Sequence, residues 1–259
     1  MAPKNRAMKT QNLVALIALG IAHAAQALEP MPAQLETQLA LAAAPPALRA
    51  EATVFLLDPK TGYHVATQGK NGVACLVERT QWELGEFRDD LYVPLCYDAA
   101  GTETYLQMIM DTAAMRAKGM SAAAVKAEVE RRWADKTYRV PAKHGLSYMV
   151  APVMRTAGPP DMKVHTLAMP HLMFYAPFAS NTDIAAKPDF TDHASLSWPF
   201  VDRQGNAEHT YFIVMVGAAE KAQILRDEKP LLDALCAYRE ILCIDTTEGA
   251  NDEPHHRHP

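Results

Sequence analysis

The stretch T-V-F-L-L at residues 53–57 is a compact apolar run, followed directly by D-P-K-T-G at residues 58–62. A short run of aliphatic, aromatic and β-branched residues is typical of a buried strand. Aspartate, proline and glycine favour a tight turn, so the chain is expected to return as a second strand over residues 63–67. This segment therefore predicts a β-hairpin built into a hydrophobic core.

Similar runs farther along the chain predict more strands, separated by proline and glycine. They lie at residues 73–77, 92–97, 146–150, 172–175 and 211–216. Helices are predicted near both ends, over residues 30–49, where Pro45-Pro46 breaks the helix, and over about 230–242. The predicted fold class is α+β, with a mostly antiparallel sheet, an inserted helical hairpin and flanking terminal helices.

The inserted hairpin is predicted over about residues 102–137. Thr102 and Ser121 are suitable N-caps for its two helices, and Gly119 ends the first of them. The second helix has apolar residues at i, i+4 and i+8, which places them on one face. These residues are Val125, Val129 and Trp133.

The first 27 residues have the layout of a secretory signal peptide. Lys4, Arg6 and Lys9 precede an uncharged apolar stretch, and Ala25-Gln26-Ala27 supplies small residues for cleavage after Ala27. The apolar stretch is too short for a good membrane span, and we expect no transmembrane segment in the mature chain. The mature protein is therefore expected to work outside the cytoplasm, either in the periplasm or secreted. Residues 28–245 are expected to form one α+β domain, and residues 246–259 a disordered tail.

The charge of the mature chain argues against nucleic acid as a partner. Residues 1–27 carry three positive and no negative charges, so removing them changes the net charge from −5 to −8. A protein this acidic gains nothing from neutralising phosphates. An unknown small molecule or an envelope component remains as the expected partner.

All four cysteines lie in the mature chain, and an even number in an exported protein favours disulfides. We expect Cys75 to pair with Cys96, closing a turn-rich loop. Cys236 and Cys243 are seven residues apart, too far to bridge within one continuous helix. Their pairing is left open, because it requires the helix to end between them.

Two further segments are N-G-V-A-C-L-V at residues 71–77 and P-H-L-M-F-Y-A-P at residues 170–177. With residues 44–54, 148–152, 181–185 and 209–216, they resemble a family of uncharacterised bacterial exported proteins. The resemblance covers most of the mature chain, although the order Asn181-Thr182 and the residue Ala185 depart from the family pattern. It implies an exported domain and draws attention to His171, Asn181, Asp183 and His209. The family has no established activity, so no mechanism is implied.

His171, His209 and Asp183 are the candidate catalytic or metal-binding residues. His171 opens a predicted strand, His209 directly precedes another, and Asp183 lies in the polar loop that follows the His171 strand. If the strands are neighbours, these groups could converge. Two imidazoles and a carboxylate suit a catalytic zinc with water in the open position, or acid–base chemistry in which Asp183 orients a histidine. The simpler interpretation is that the histidines satisfy backbone groups at strand ends, and that Asp183 and Asn181 stabilise a turn.

Aromatic residues concentrate in the second half of the chain and could line an apolar pocket with a few polar groups. They are Tyr148, Phe174, Tyr175, Phe178, Trp198 and Phe200. The predicted ligand-binding residues are Asn181, Tyr148 and Tyr175. The alternative is that the aromatic residues simply fill the core.

Two functions follow from these observations. The first is an exported module that binds a small ligand or an envelope partner. The alternative is a metal- or histidine-assisted hydrolase centred on His171, Asp183 and His209, with a divalent metal such as zinc as its cofactor. Whether the protein is an enzyme is left open. Convergence of the histidines favours the hydrolase, whereas histidines that face apart beside an open apolar groove favour the binding module.

Overall fold

A computed structural model describes residues 28–81, 85–158, 161–191 and 193–244. Its main element is an eight-stranded sheet with strands in the order β2-β1-β3-β4-β5-β8-β10-β9. These strands are β1 Thr53–Asp58, β2 Gly62–Thr67, β3 Ala74–Glu78, β4 Val93–Tyr97, β5 Leu146–Met149, β8 His171–Tyr175, β9 Phe200–Arg203 and β10 Thr210–Met215. The predicted signal peptide and the predicted tail from residue 246 onward lie outside the described residues.

The sheet is mostly antiparallel, as predicted. Neighbouring strands run in opposite directions except β1 and β3, which pair in parallel. The β1–β2 hairpin turns at Gly62, which has a φ of +93°. A Cβ there would lie 3.2 Å from the backbone nitrogen of Ala114, so glycine permits both the turn and the close approach of a helix.

Helices cover both faces of the sheet. On one face, α1 (Ala33–Ala42) packs against β1, β3 and β4, and α7 (Lys229–Tyr238) packs against α1. On the other lies a helical hairpin, α4 (Tyr105–Ala117) and α5 (Ala122–Ala134). Successive residues of β3 alternate between the two sides. Ala74 and Leu76 belong to the core beneath the hairpin, whereas Cys75 and Val77 belong to the core beneath α1.

The predicted helical hairpin is confirmed in outline. Gly119 ends its first helix with a φ of +80°, and the Ser121 hydroxyl caps α5 by accepting a hydrogen bond from Ala124 N at 3.3 Å. The residues predicted to face the core, Val125, Val129 and Trp133, are all buried. The predicted cap at Thr102 is wrong. Asp98 caps a separate short helix, α3 (Ala99–Thr102), and the chain bends before α4 begins.

Several boundaries differ from the sequence prediction. The first helical region is two helices, because Pro46 begins a separate helix α2 (Pro46–Arg49) rather than only ending α1. The last helical region is also two, with α6 (Ala218–Asp227) preceding α7. A small two-stranded sheet, β6 (Met154–Gly158) and β7 (Lys163–Leu167), was missed, as was the edge strand β9. These strands are short and carry polar residues, so their apolar periodicity is weak.

Both cysteine pairs are bridged. Cys75 and Cys96 face each other in register on β3 and β4 and form the predicted disulfide. Cys236 and Cys243 form a second disulfide. This pairing is possible because α7 ends at Tyr238 and the chain turns back through a short 3₁₀ helix at Glu240–Leu242.

Candidate functional site

His209 is a core residue directly before β10. Its side chain is only 3% exposed, and its ring centroid lies 4.5 Å from that of Tyr105. Nε2 lies 2.6 Å from the Tyr211 hydroxyl, and Nδ1 has no hydrogen-bond partner among the described residues. Burial lowers the pKa of the imidazole from 6.5 to about 3. His209 is therefore neutral at ordinary pH and enclosed by aromatic rings.

His171 is also buried, at the first residue of β8. Its Nδ1 donates a hydrogen bond of 2.7 Å to the carbonyl oxygen of Met169, because a carbonyl can only accept. Burial lowers the pKa of this imidazole below its usual value of 6.5. The side chain therefore satisfies a backbone group at a strand end, as in the simpler of the two interpretations.

The two histidines are not brought together. Strands β8 and β10 are antiparallel, and His171 lies opposite Met215, at the far end of β10 from His209. Met215 and His209 are six residue steps apart along the chain, which corresponds to about 20 Å in an extended strand. The two histidines would have been close together only if β8 and β10 ran parallel, with their first residues at the same end of the sheet. Within the described residues, no group of three histidine, cysteine or acidic side chains is arranged to hold a metal.

Asp183 and Asn181 lie in a 3₁₀ helix at Asn181–Ile184, and both side chains have structural partners. The Asp183 carboxylate accepts hydrogen bonds from the Ser180 backbone and hydroxyl, at 2.8 and 2.7 Å, which lowers its pKa. The Asn181 amide donates to Val201 O at 3.0 Å and accepts from Val201 N at 2.7 Å. The Asn181 side chain therefore makes the pair of hydrogen bonds that a neighbouring strand would make, and it covers the free edge of β9 at Val201.

Tyr148 and Tyr175 lie on opposite faces of the sheet. Tyr148 is opposite Leu172 and packs against the core beneath α1. Tyr175, three residues beyond Leu172 on β8, faces the core beneath the helical hairpin. The predicted ligand-binding set of Asn181, Tyr148 and Tyr175 does not form one site in this arrangement.

An open apolar groove of about 450 Å³ lies beside the edge strand β9. It is bounded by the 3₁₀ helix that contains Asn181, by residues 195–200, and by β10. Among its lining residues are Ile184, Pro188, Trp198, Pro199, Phe200 and Phe212. Two of them, Trp198 and Phe200, were among the aromatic residues expected to line a pocket. Ile184 and Phe212 were missed, because no sequence signal places the 3₁₀ helix against the β9 edge of the sheet.

Trp198 is the most exposed large apolar side chain among the described residues, at 77% of its surface. Ile184 in the same groove is also exposed. Ala185 lines the groove in the left-handed region, with a φ of 54°, because it ends the 3₁₀ helix. Exposed tryptophan beside other apolar side chains is a feature of binding surfaces rather than of ordinary solvent-facing surface.

Two polar side chains line the groove. Ser195 Oγ accepts from Asp189 N at 2.8 Å and donates to Asp189 O at 2.9 Å, so its hydroxyl is engaged in the loop itself. Lys187 is exposed, and the ion pairs formed among the described residues do not include it. The groove therefore combines an apolar floor with a lysine that forms no ion pair within the described part of the chain.

A second cleft, of about 300 Å³, is polar and lies at the ends of α3, α4 and α5. Its lysine is engaged in an ion pair, and its arginine forms one long hydrogen bond. Lys136 pairs with Glu208 at 2.7 Å, and Arg139 Nε donates to the Lys136 carbonyl at 3.5 Å. We therefore regard this polar cleft as a weaker candidate for a ligand site than the apolar groove.

Comparisons of the chain with protein-family models, with curated proteins and with solved structures find no match. The resemblance to bacterial exported proteins therefore stays a prediction. None of the helices in the described part of the chain is both long and apolar enough to span a bilayer.

Proposed function

We propose that this protein is an exported binding module whose groove holds a small amphipathic molecule, with a ring or aliphatic body and one anionic group. The observation that carries the proposal is the apolar groove beside β9, with Trp198 exposed within it. Its volume lies within the range of small-molecule sites, which are mostly apolar with a few polar groups that fix orientation.

Export is supported by two independent features. Residues 1–27 have the charge and hydropathy pattern of a cleaved signal peptide. All four cysteines form disulfides, which persist in oxidising compartments. Both disulfides lie on the α1 side of the sheet, since Cys75 and Cys96 lie beneath α1 and Cys236 lies in α7, which packs against α1. We therefore place the mature protein in the periplasm or the external medium.

The apolar body of the ligand is expected to lie against Trp198, Ile184 and Phe212. An exposed indole loses its contact with water when a ring stacks on it. Aromatic stacking adds about 1 kcal/mol to the binding free energy, beyond the contribution of the buried apolar area. Trp198 is the natural anchor, because tryptophan is enriched among residues that dominate binding energy.

The anionic group is expected to pair with Lys187. This ammonium group lines the groove and has no carboxylate partner among the described residues, so a ligand anion would meet a free cation. The exposed position makes this contribution modest, on the order of 1 kcal/mol or less. Lys187 would therefore set preference among ligands more than total affinity.

The hydrolase alternative is less well supported. It requires His171, Asp183 and His209 to act at one centre, whereas the histidines lie at opposite ends of an antiparallel strand pair. Separated histidines together with an open apolar groove elsewhere on the sheet are the arrangement expected of the binding module.

The test uses two fluorescent naphthalene probes with the mature protein. One, 1-anilinonaphthalene-8-sulfonate, carries an anion, and the other, N-phenyl-1-naphthylamine, is neutral. Both should bind the wild type. Trp198→Ala should weaken both by about tenfold or more, because it removes the anchor. Lys187→Gln should weaken only the anionic probe, by severalfold, because the neutral probe makes no use of the ammonium.

Val65→Ser is the matched control, since Val65 is an exposed apolar residue on β2, at the other edge of the sheet. It should leave both affinities unchanged. Absence of probe binding to the wild type, or equal binding to wild type and Trp198→Ala, would show that the groove is not a small-molecule site. A macromolecular partner would then be sought by crosslinking at Trp198.

A further inference from the structure

The segment that follows the predicted cleavage point is fastened to the fold through its backbone. Glu29 N donates to Asp89 Oδ1 at 3.0 Å, and Glu29 O accepts from Arg79 Nη1 at 3.4 Å. Two residues later, the Met31 side chain is buried in the core beneath α1. The chain from Glu29 onward is therefore held in one place next to Asp89.

Asp89 is the centre of a small charged network. Its Oδ2 pairs with Arg239 at 3.1 Å, and Arg79 lies 3.6 Å from its Oδ1. Arg239 and Arg79 also bond to the Asp89 backbone carbonyl. Because Arg79 is buried and stacks over the Tyr92 ring at 4.0 Å, the network is anchored rather than free on the surface.

We infer that cleavage after Ala27 creates a binding partner for this network: the new α-ammonium group of Leu28, held by the Asp89 carboxylate. The inference rests on the proposed export. Hydrolysis of the Ala27–Leu28 peptide bond by an export-pathway peptidase consumes one water. It leaves a carboxylate on Ala27 and an amine on Leu28, which takes up a proton.

The position of Leu28 follows from backbone geometry. Consecutive backbone nitrogens are about 3 Å apart, so the Leu28 nitrogen lies within about 6 Å of Asp89 Oδ1, next to the Glu29 N–H that already bonds there. An opposite charge at that range favours the protonated amine. Before processing, the same nitrogen is a neutral amide and makes no such interaction. Processing therefore adds one ionic contact that ties the start of the mature chain to the fold.

The charges facing the new ammonium have both signs. Asp89 and the Glu29 carboxylate attract it, whereas the guanidinium groups of Arg79 and Arg239 repel it. Asp89 is nearest, because it holds the adjacent N–H directly. Removing Asp89 and removing Arg239 should therefore change the proton affinity of the amine in opposite directions.

The experiment measures the Leu28 amine in the exported, full-length mature protein. Mass spectrometry first identifies the N-terminal residue, which should be Leu28. Competitive acylation at pH 7 then reports the neutral fraction of the amine. Asp89→Asn should speed acylation of Leu28 about threefold, and Arg239→Gln should slow it.

A looser N-terminal segment would raise acylation in both variants, so the opposite signs separate an ionic contact from simple exposure. Asp135→Asn, which alters an exposed carboxylate directly after α5, is the matched control and should have no effect. Circular dichroism checks that each variant is folded. If Asp89→Asn does not fold, the slower reaction of Arg239→Gln still tests the inference.

Two results would overturn the proposal and can be told apart. An exported protein that starts at another residue removes its premise, the cleavage after Ala27. A chain that starts at Leu28 but reacts at the same rate with and without Asp89, or faster in both variants, shows that the ammonium is not held there. Neither result depends on the groove beside β9, which the probe experiments test separately.

Discussion

The Tyr175 hydroxyl donates a hydrogen bond of 2.9 Å to Asp98 Oδ1, which joins β8 to the end of β4. The same carboxylate accepts backbone N–H bonds from Gly101 and Leu146, each at 2.9 Å. A Cβ at Gly101 would collide with the Tyr175 hydroxyl, and one at Gly145 would collide with the Asp98 carboxylate. The Asp98 side chain therefore links β8, α3 and β5 through hydrogen bonds. Residues larger than glycine do not fit at positions 101 and 145 beside it.

Asp98→Ala is expected to lower the free energy of unfolding by about 3 kcal/mol. It leaves two backbone donors and one tyrosine hydroxyl without their acceptor, and each unsatisfied buried group costs about 1–3 kcal/mol. Tyr175→Phe should cost only about 1 kcal/mol, because the two backbone bonds survive. Urea unfolding measures both, with the exposed Asp233→Ala as a control near zero. A cost for Asp98→Ala no larger than the control would contradict this account.

The local elements were predictable where one physical signal dominates. Val125, Val129 and Trp133 recur at helical spacing, and a serine directly before them supplies the cap, so α5 was found. Cys75 was assigned to Cys96 because an even number of cysteines in an exported protein favours disulfides and this pairing closes a turn-rich loop. Neither inference needed knowledge of the rest of the chain.

The arrangement of His171 and His209 was not predictable, because strand direction and neighbour order are set by the whole sheet. His171 was correctly expected to open a strand, and His209 to precede one. Antiparallel pairing then put those starts about 20 Å apart. The groove was not predictable for the same reason, since residues 184–188 line it together with residues of β9 and β10, and no sequence period indicates that arrangement.

Removing the two disulfides is expected to have unequal effects. Cys75 and Cys96 are separated by 21 residues, and Cys236 and Cys243 by seven. Because the entropy lost by the unfolded chain grows with loop length, the double alanine variants should lose about 3 and about 2 kcal/mol respectively. Urea unfolding of the two variants measures the difference. An equal or reversed order would mean that packing in the folded state, and not loop length, sets the contribution.

Asn181→Ala is expected to expose the free edge of β9. Val201 would lose a partner for both its N–H and its carbonyl oxygen, costing about 1–2 kcal/mol. Uncapped edge strands pair readily with other chains, so the variant should also self-associate. Sedimentation velocity measures the association, with Thr182→Ala, an exposed neighbour in the same 3₁₀ helix, as the control. A monomeric Asn181→Ala protein of unchanged stability would show that the amide does not protect this edge.

The stability of the protein is expected to depend on pH through two buried groups that act in opposite directions. Burial lowers the pKa of His209 from 6.5 to about 3 and raises that of Glu36 from 4.5 to about 7. Between about pH 3 and 6.5 the unfolded chain holds the His209 proton more tightly, so stability falls as pH falls. Between about pH 4.5 and 7 the folded chain holds the Glu36 proton more tightly, so stability falls as pH rises.

Glu36→Gln separates the two effects, because glutamine keeps an acceptor for the Leu57 N–H but does not titrate. As the pH rises from 4.5 to 7, the free energy of unfolding of this variant should increase by about 3 kcal/mol relative to that of the wild type, since one pKa unit corresponds to about 1.4 kcal/mol. His209→Gln should show the opposite trend, gaining relative to the wild type as the pH falls below 6.5. Urea unfolding at several pH values measures both differences. If the Glu36→Gln difference stays constant with pH, the buried carboxyl of Glu36 does not hold its proton in the folded protein, and the Leu57 N–H bonds to a carboxylate.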